Sequence, residues 1–522
     1  MAWGISSVNG EQIRSRSAGI VAASTLLVAV FAALTQIVIA ARFGASRELD
    51  AFYAALVLPN TLVSILIGSL ASVFLPIFIE QRNKHGEQHA WRLTETLVGT
   101  FGLLLVVVSA LAFLGAEPLL GLTAPGLTPA ARILAARLLR ILLAMLVIGG
   151  LTSIASSMLN AYHRFTAPAT ANVMRSLIYL AALWPLTLVR GITGLATAMI
   201  LGHVAALIVV LSALRPWRFR FRPRLDLSSP AYRRLVSVWL ALLFSIFIAR
   251  LYPILDRYYA SQLAVGSISY LAYATSINGL VLSLFSASMA KVMFPTMAEY
   301  IAADRPQRAV ERMSQTIRLS PFIVVPAIVG LLTLRRPIIA MLLERGAFDA
   351  TDTAITASAL LFSAGSLFGP VIANVTSKML YSLQATRFIF WLNVLRIPIY
   401  VALCGWLIGP LGILGVALAG SITVTLGWPM QLAYLRYRLG PLALGRLSAS
   451  VGATSGRALI MGVIVHFAFA WLASHLAGPP AIAVLVSVGV GLAAYVALSL
   501  LLAPAETGIF ADRLGRAVGI VR

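Results

Sequence analysis

The sequence predicts an all-α polytopic membrane protein of about fourteen transmembrane helices, and three observations carry the prediction. Of 522 residues, 60% are hydrophobic and only 11% charged, with a mean hydropathy of +0.92; a water-soluble fold would need far more polar residues to cover its surface. Apolar runs long enough to cross a ~30 Å hydrocarbon core as helices recur along the whole chain. The cations concentrate in alternate connecting loops, as the positive-inside bias requires.

In chain order the spans fall near residues 18–41, 50–79, 94–115, 131–160, 170–189, 191–213, 235–256, 267–297, 317–334, 353–382, 388–408, 411–434, 458–475 and 480–502. The first follows Arg14 and Arg16 and, at ~1.5 Å per residue, reaches about 36 Å. That exceeds a cleavable signal segment, so an uncleaved first span is expected. With the N-terminus in the cytoplasm, the cytoplasmic loops collect Arg82, Lys84, Arg92, Arg164, Arg305, Arg308, Arg312, Arg436, Arg438, Arg446 and Arg457. The opposite loops hold fewer, among them Arg47, Arg190, Arg335 and Arg336. Both termini are therefore expected inside, in a bacterial inner membrane.

The densest basic cluster runs from Arg215 through Arg218, Arg220, Arg222 and Arg224 to Arg233 and Arg234, where it would attract anionic lipid headgroups. It also separates two similar halves. Ser72–Glu80 (SVFLPIFIE) aligns with Lys291–Glu299 (KVMFPTMAE) at an offset of roughly 219 residues, which brings DAFYAA at Asp50 onto SYLAYA at Ser269. An even number of crossings between the repeats gives both halves one orientation. The expected organisation is a six-helix lobe at 1–214, a basic cytoplasmic connector at 215–234, a second six-helix lobe at 235–435, and two further helices with a tail at 436–522.

Net charge is +23, but these cations form neither one basic face nor an aromatic-interleaved stripe, so no nucleic-acid partner is expected. A single cysteine, Cys404, excludes an intramolecular disulfide and a CxxC site. His85 and His89 are four residues apart, yet His-Gly-Glu-Gln-His places the glutamate wrongly for a zincin, and a solvated loop accounts for them. His203 and His466 stand alone in apolar helices. There is no Walker A sequence and no GxSxG with a suitable scaffold. Short outer loops poor in carboxylates also disfavour a membrane-embedded transferase. The chain is read as a non-enzyme without cofactors.

An ionisable side chain at bilayer depth costs ~2.5–3.5 kcal/mol on insertion scales, so each needs a cavity, a partner or a route to the interface. Arg250 and Asp256 lie in the seventh span on either side of Pro253, Lys378 and Arg396 in the tenth and eleventh, Arg175 near the start of the fifth, and Lys291 late in the eighth. Snorkelling suits Arg175 and Lys291; a water-filled interior suits Arg250 and Arg396. Few acids, chiefly Asp50 and Asp256, could neutralise them, so a net-positive site for a phosphate or pyrophosphate is expected. Pro59, Pro253, Pro370 and Pro398 mark helix breaks at depth, either ordinary kinks or cavity walls.

The second span reads Phe43-Gly44-Ala45-Ser46, Asp50-Ala51-Phe52, Leu58-Pro59-Asn60 and Phe74-Leu75-Pro76. Further on come Leu139-Arg140-Ile141, Leu159-Asn160-Ala161-Tyr162 with Arg164-Phe165, Asp256 with Tyr259-Ala260-Ser261, and Glu344-Arg345-Gly346-Ala347-Phe348. In order and spacing this series resembles the MurJ (MviN) family of lipid II flippases in the multidrug/oligosaccharidyl-lipid/polysaccharide exporter superfamily. The resemblance implies two six-helix lobes around a V-shaped cavity, and two C-terminal helices forming a groove for a lipid tail. The implied partner is a lipid-linked oligosaccharide, carried to the outer leaflet by alternating access. Candidate contacts for it, taken chiefly from the polar residues at depth, are Arg250, Arg396, Lys378, Asp50, Asn60, Asp256 and Arg175. Where the family carries arginines, this sequence reads Ala29, Thr35, Gln36 and Val63, and an Ala-Asp-Arg element becomes Ala274-Thr275-Ser276.

Some relatives bind sodium, and Asp256, Asn393 and Thr423 occupy comparable regions here; proton coupling or the membrane potential are the other energy sources. Two further functions are consistent with the residues: a small-molecule exporter of the MATE kind, and a transport-silent scaffold binding envelope-synthesis enzymes.

Overall fold

The computed structural model describes residues 4–215, 226–282, 300, 305–440, 444–475 and 480–502. These are helical nearly throughout, with thirteen helices or helix pairs long and apolar enough to cross a membrane. The remaining expected span, 267–297, lies in large part outside the described residues. So do residues 216–225 of the basic connector and the Lys291–Glu299 half of the repeat.

By internal contacts the chain forms two units, 1–269 and 270–522. The first holds α1 (Gly4–Phe43), α2 (Arg47–Leu62), a five-residue π-helical segment (Val63–Ile67), α3 (Gly68–His85), α4 (Glu87–Leu114) and α5 (Ala116–Thr123). There follow α6 (Pro129–Leu142), α7 (Ala144–Ala161), α8 (Thr166–Arg190), α9 (Ile192–Leu214), α10 (Pro230–Ala249) and α11 (Tyr252–Ser261). Helix α12 begins at residue 267 and is described to 282. The second unit contains α13 (Pro306–Thr333), α14 (Arg335–Leu343), α15 (Ala350–Ser363), α16 (Gly365–Ser382), α17 (Thr386–Leu411), α18 (Ile413–Leu439), α19 (Leu444–His475) and α20 (Pro480–Leu502). The contact boundary leaves α10 and α11, which the sequence places at the start of a second lobe, packed on α2, α3, α4 and α5 of the first unit.

The element order repeats at the offset read from sequence. Glu87 and Pro306 open long helices 219 positions apart, Ala116 and Arg335 open short ones 219 apart, and Thr166 and Thr386 open hairpins 220 apart. Each short helix is followed by a span that breaks in its middle, at Leu143 and at Ala364. A shared register of helices and breaks is a stronger mark of duplication than residue identity, because loop and helix lengths persist after side chains have drifted.

The first unit's core joins Ile65, Leu70, Phe74 and Phe78 to Leu97, Phe101, Leu146, Met158 and Trp239. Large apolar side chains such as Leu111, Leu114 and Val189 stand outside it, largely exposed. Lipid solvates such side chains, so helix association rests on close packing and interhelical hydrogen bonds. One such contact closes the C-terminal end of α11, where Ser261 Oγ accepts from the Gly126 N–H at 3.2 Å. A Cβ on Gly126 would stand 2.2 Å from the Ser261 carbonyl oxygen and 2.6 Å from Gln262 Cα. All the blocking atoms are backbone atoms of Ser261 and Gln262. Gly126→Ala is expected to cost about 1–3 kcal/mol by overpacking, read as a lower thermal midpoint of the detergent-solubilised protein.

Most of the arginines assigned to connecting loops lie in helices, among them Arg82 in α3, Arg92 in α4, and Arg308 and Arg312 in α13. Helix α18 continues through Arg436 and Arg438, and α19 begins well before the apolar run at 458–475, so Arg457 lies inside it and is only 4% exposed. Its Nε donates to the Ala453 carbonyl at 3.2 Å, an NH2 group donates to Thr454 Oγ1 at 3.2 Å, and the guanidinium lies 5.7 Å from the Phe322 ring. These local acceptors and an aromatic face make burial of the cation tolerable, and they dock α19 on α13. From α20, Tyr495 adds a 2.8 Å hydrogen bond to the Phe322 carbonyl.

Candidate functional site

Two broken spans face each other inside the first unit. The second span carries Pro59 at the end of α2 and then the π-helical turn at Val63–Ile67. The seventh breaks at Arg250, the C-cap of α10, and restarts with Pro253 in the first turn of α11, where its missing N–H leaves no intrahelical bond unmade. Irregular backbone at membrane depth persists only where protein or a wet cavity satisfies it. Between these breaks lies a cavity of about 200 Å³.

Tyr53, Leu56, Val57, Asn60, Thr61 and Ser64 form its wall on the second span; Arg250, Pro253 and Arg257 form the other. Arg250 and Asn60 are exposed to this space and Arg257 is half-buried. Arg257 Nε is buried without an acceptor among the described residues, and its charge acts on Asp50 and Tyr53. No carboxylate is in the lining, so two guanidinium groups leave the cavity net positive. It has room for several waters or for an anionic group of a few heavy atoms. Arginine forks, an amide and hydroxyls are the donors that phosphate oxygens accept.

Asp50 lies beside this cavity, 5% exposed, and has a structural task. One carboxyl oxygen accepts from the Gly266 N–H at 2.6 Å; the other accepts from the Ser269 N–H at 2.8 Å and the Ser269 hydroxyl at 2.7 Å. These are orphan donors at the start of α12, which no intrahelical carbonyl reaches. Gly266 adopts φ +92°, a conformation that favours glycine and turns its N–H toward the carboxyl. Asp50 and Ser269 are also the positions that the internal repeat aligns.

A family model described as "Lipid II flippase MurJ" matches residues 39–479, a stretch that contains both walls of the cavity. The chain belongs to the MurJ family. Among curated relatives, "Lipid II flippase MurJ" of Burkholderia cenocepacia is 27% identical over 370 residues, covering 69% of this chain and 72% of that protein. "Probable lipid II flippase MurJ" of Vibrio cholerae is 25% identical over 507 residues, covering 93% and 96%. A solved MurJ in an inward closed conformation superimposes with a TM-score of 0.78 at 21% identity, over 92% of this chain and 98% of that one. An inward-facing MATE transporter of the same superfamily reaches 0.63 at 16% identity, over 82% and 99%. At these identities the solved structures establish a shared fold, which the MurJ structure matches more completely. A MurJ protein with this many apolar helices is a multi-pass membrane protein of the bacterial inner membrane and a transporter in class, not an enzyme.

Against that MurJ frame, the sequence-derived residues separate into groups. Arg250 and Asn60 meet in the cavity, and Asp50 adjoins it. Asp256 is half-buried on α11 and absent from the lining; the residue that joins Arg250 is its neighbour Arg257. Seven residues are about two helical turns and return to nearly the same face, whereas six leave Asp256 about 120° away. That spacing was the available signal for Arg257. Tyr53, Asn60, Thr61 and Ser64 share one face of an otherwise apolar helix, a second signal that could have located the opposite wall.

Arg175 is half-buried on α8 and electrostatically coupled to His203, away from the lining. Lys378 is half-buried on α16 of the second unit. Beside it Gln431 takes hydrogen bonds from Thr376 and Ser377 across α16 and α18. Arg396, also in the second unit, donates through Nε to the Thr423 carbonyl at 2.9 Å and reaches Asn393 Oδ1 at 3.5 Å. Asn393 and Thr423 thus come together around a guanidinium, an unfavourable setting for a metal cation. Gln36 and Val63, two positions at which the resemblance implies arginine, lie near the cavity but outside its lining. Gln36 accepts from the Tyr53 hydroxyl at 3.2 Å, and Ser64, next to Val63, lines the wall.

Proposed function

We propose that this protein is a flippase for a polyprenyl-pyrophosphate-linked saccharide, lipid II or a related cell-envelope glycan precursor, moving it from the inner to the outer leaflet by alternating access. The observation that carries this reading is the carboxylate-free cavity at membrane depth with Arg250 and Arg257 on one wall and Asn60 on the other. A pyrophosphate and sugars cannot enter hydrocarbon without large desolvation costs, so a protein that transports them needs such a polar station. The cavity suits the phosphates; the saccharide would extend beyond it. Membership of the MurJ family and the names of its relatives support the same substrate class. The altered arginine positions favour a contact made from the seventh span, with specificity for the glycan left to the remaining surface.

Rescue of cells depleted of their own lipid II flippase tests the reading. Growth restored by this protein supports lipid II as cargo. Failure at normal membrane levels favours another envelope glycan, and failure of any lipid-linked glycan to move in proteoliposomes favours the scaffold reading. The charge of the loops supports a cytoplasmic position for both termini, and arginines on that side would suit anionic headgroups or envelope-synthesis enzymes as partners. For energy, the membrane potential or protons suit the arrangement better than sodium, because Arg396 already holds the Asn393 and Thr423 oxygens. Replacing external and internal Na⁺ by K⁺ is therefore expected to leave the flipping rate within about twofold, since a required hard-cation site would not accept the larger ion equally.

A further inference from the structure

Next to the cavity wall, the π-helical turn takes a hydrogen bond from one buried side chain of α10. Trp239, 7% exposed on α10, donates its indole N–H to Ser69 Oγ at 2.8 Å and approaches the Leu66 carbonyl at 3.3 Å. Ser69 is fully buried, and its own hydroxyl donates back to the Ile65 carbonyl at 2.5 Å. Two carbonyls of the widened turn thus receive side-chain hydrogen bonds. The ring edge of the indole packs on Phe101 of α4 at a centroid distance of 5.6 Å. In an apolar core, a buried N–H must find an acceptor, and the acceptors offered here belong to one turn of one helix. The bond therefore fixes both the height and the rotation of α10 against the second span.

Arg250 lies eleven residues after Trp239. Eleven residues make three helical turns with about 20° left over, a rise of about 16 Å, so the face of α10 that reaches the π-helical turn is also the face that ends at Arg250. We propose that Trp239 is a positioning residue: by hydrogen bonding to Ser69 and Leu66 it sets the rotation of α10 and thereby the place of Arg250 in the cavity. Its role in transport rests on the flippase reading; its role in geometry does not. A rod pinned at one end and carrying a cation at the other needs only a small rotation to move that cation out of a cavity of about 200 Å³, and misplacement by ~1 Å is enough to lose much of a binding contact's effect.

The test reads geometry first. Cys404 is buried and is replaced by alanine to remove the native thiol. A single cysteine is then introduced by Arg250→Cys and its rate of reaction with a charged, water-soluble maleimide is measured in membranes. Adding Trp239→Phe, which keeps the ring and deletes the N–H, is expected to change that rate by about fivefold or more, because thiol reactivity follows exposure. Ser69→Ala is expected to reproduce the change. A cysteine placed instead by Gln262→Cys, beyond α11, is expected to stay within about twofold. An unchanged rate at position 250 in both variants, or an equal change at positions 250 and 262, overturns the proposal in favour of general packing. In transport, Trp239→Phe and Arg250→Ala are expected to be non-additive, the double variant losing little more than Arg250→Ala alone; additive losses also overturn it. If the parent protein moves no lipid-linked glycan at all, the functional reading fails while the labelling result still decides the positioning role.

Discussion

Replacing Arg250 and Arg257 together by alanine is expected to reduce transport by about a thousandfold, while either single change costs about 10–100-fold. Each guanidinium offers charge-assisted hydrogen bonds worth ~1.5–3 kcal/mol to an anionic group, and ~1.4 kcal/mol is a factor of ten. The pair shares one cavity, so the two losses are expected to couple. Lysine at either position retains the charge but not the planar fork and should recover only part of the rate. The measurement is initial flipping rate in proteoliposomes, normalised to inserted protein. Since the side chains line an open space, the variants should insert and fold normally, and a loss of rate accompanied by loss of protein would point to a packing role instead. Asp256→Asn, which alters the adjacent residue outside the lining, should have a much smaller effect; an equal effect would remove the distinction between the two positions.

Asp50→Ala is expected to destabilise the protein by about 3 kcal/mol or more and to abolish function in cells. The carboxyl of Asp50 is the acceptor for two backbone N–H groups and one hydroxyl at the start of α12. A buried donor without an acceptor costs ~1–3 kcal/mol, and alanine leaves all three in that position. Asp50→Asn offers an informative intermediate. Its amide oxygen can still serve Ser269, but its NH2 group then opposes the Gly266 N–H, so a loss of about 1–2 kcal/mol is expected. Thermal midpoints in detergent for the alanine and asparagine variants check the order. Equal midpoints for wild type and Asp50→Ala would show that the start of α12 finds other acceptors. Because Asp50 does not line the cavity, its loss should lower the amount of active protein more than the apparent affinity of the fraction that remains.

These two sites differ in how visible they are from the chain alone. Arg250 can be picked out because an arginine near proline in an apolar span is conspicuous, and Asn60 because it closes the Leu58-Pro59-Asn60 motif that resembles the family's. Asp50 is conspicuous as one of the few acids near the spans, but a position in sequence does not say whether a carboxyl meets a substrate or a helix end. Arg257 is overshadowed by Asp256 in the sequence, although its seven-residue spacing from Arg250 is in plain view. Arg457 reads as a loop residue because polarity around Ser448–Arg457 looks like a connector; the helix continues through it because Thr454, the Ala453 carbonyl and the Phe322 ring accept the cation. The π-helical turn has no sequence signal at all, since Val63–Ile67 is as apolar as the regular helix on either side.

The sequence by itself determined the membrane class, the approximate number and order of spans, the duplicated halves and the family. The class and the spans follow from a one-dimensional constraint, since the hydrocarbon thickness demands apolar runs of fixed length; the halves and the family follow from repeated motifs whose order is likewise written along the chain. Tertiary structure alone decided which charges share a space and which partner each polar group takes. A widened turn at Val63–Ile67 rotates the next stretch of helix by an amount that no residue count supplies, and Asp50 finds its partner 219 residues away. Facing and contact depend on such rotations, so they exist only once the helices have packed.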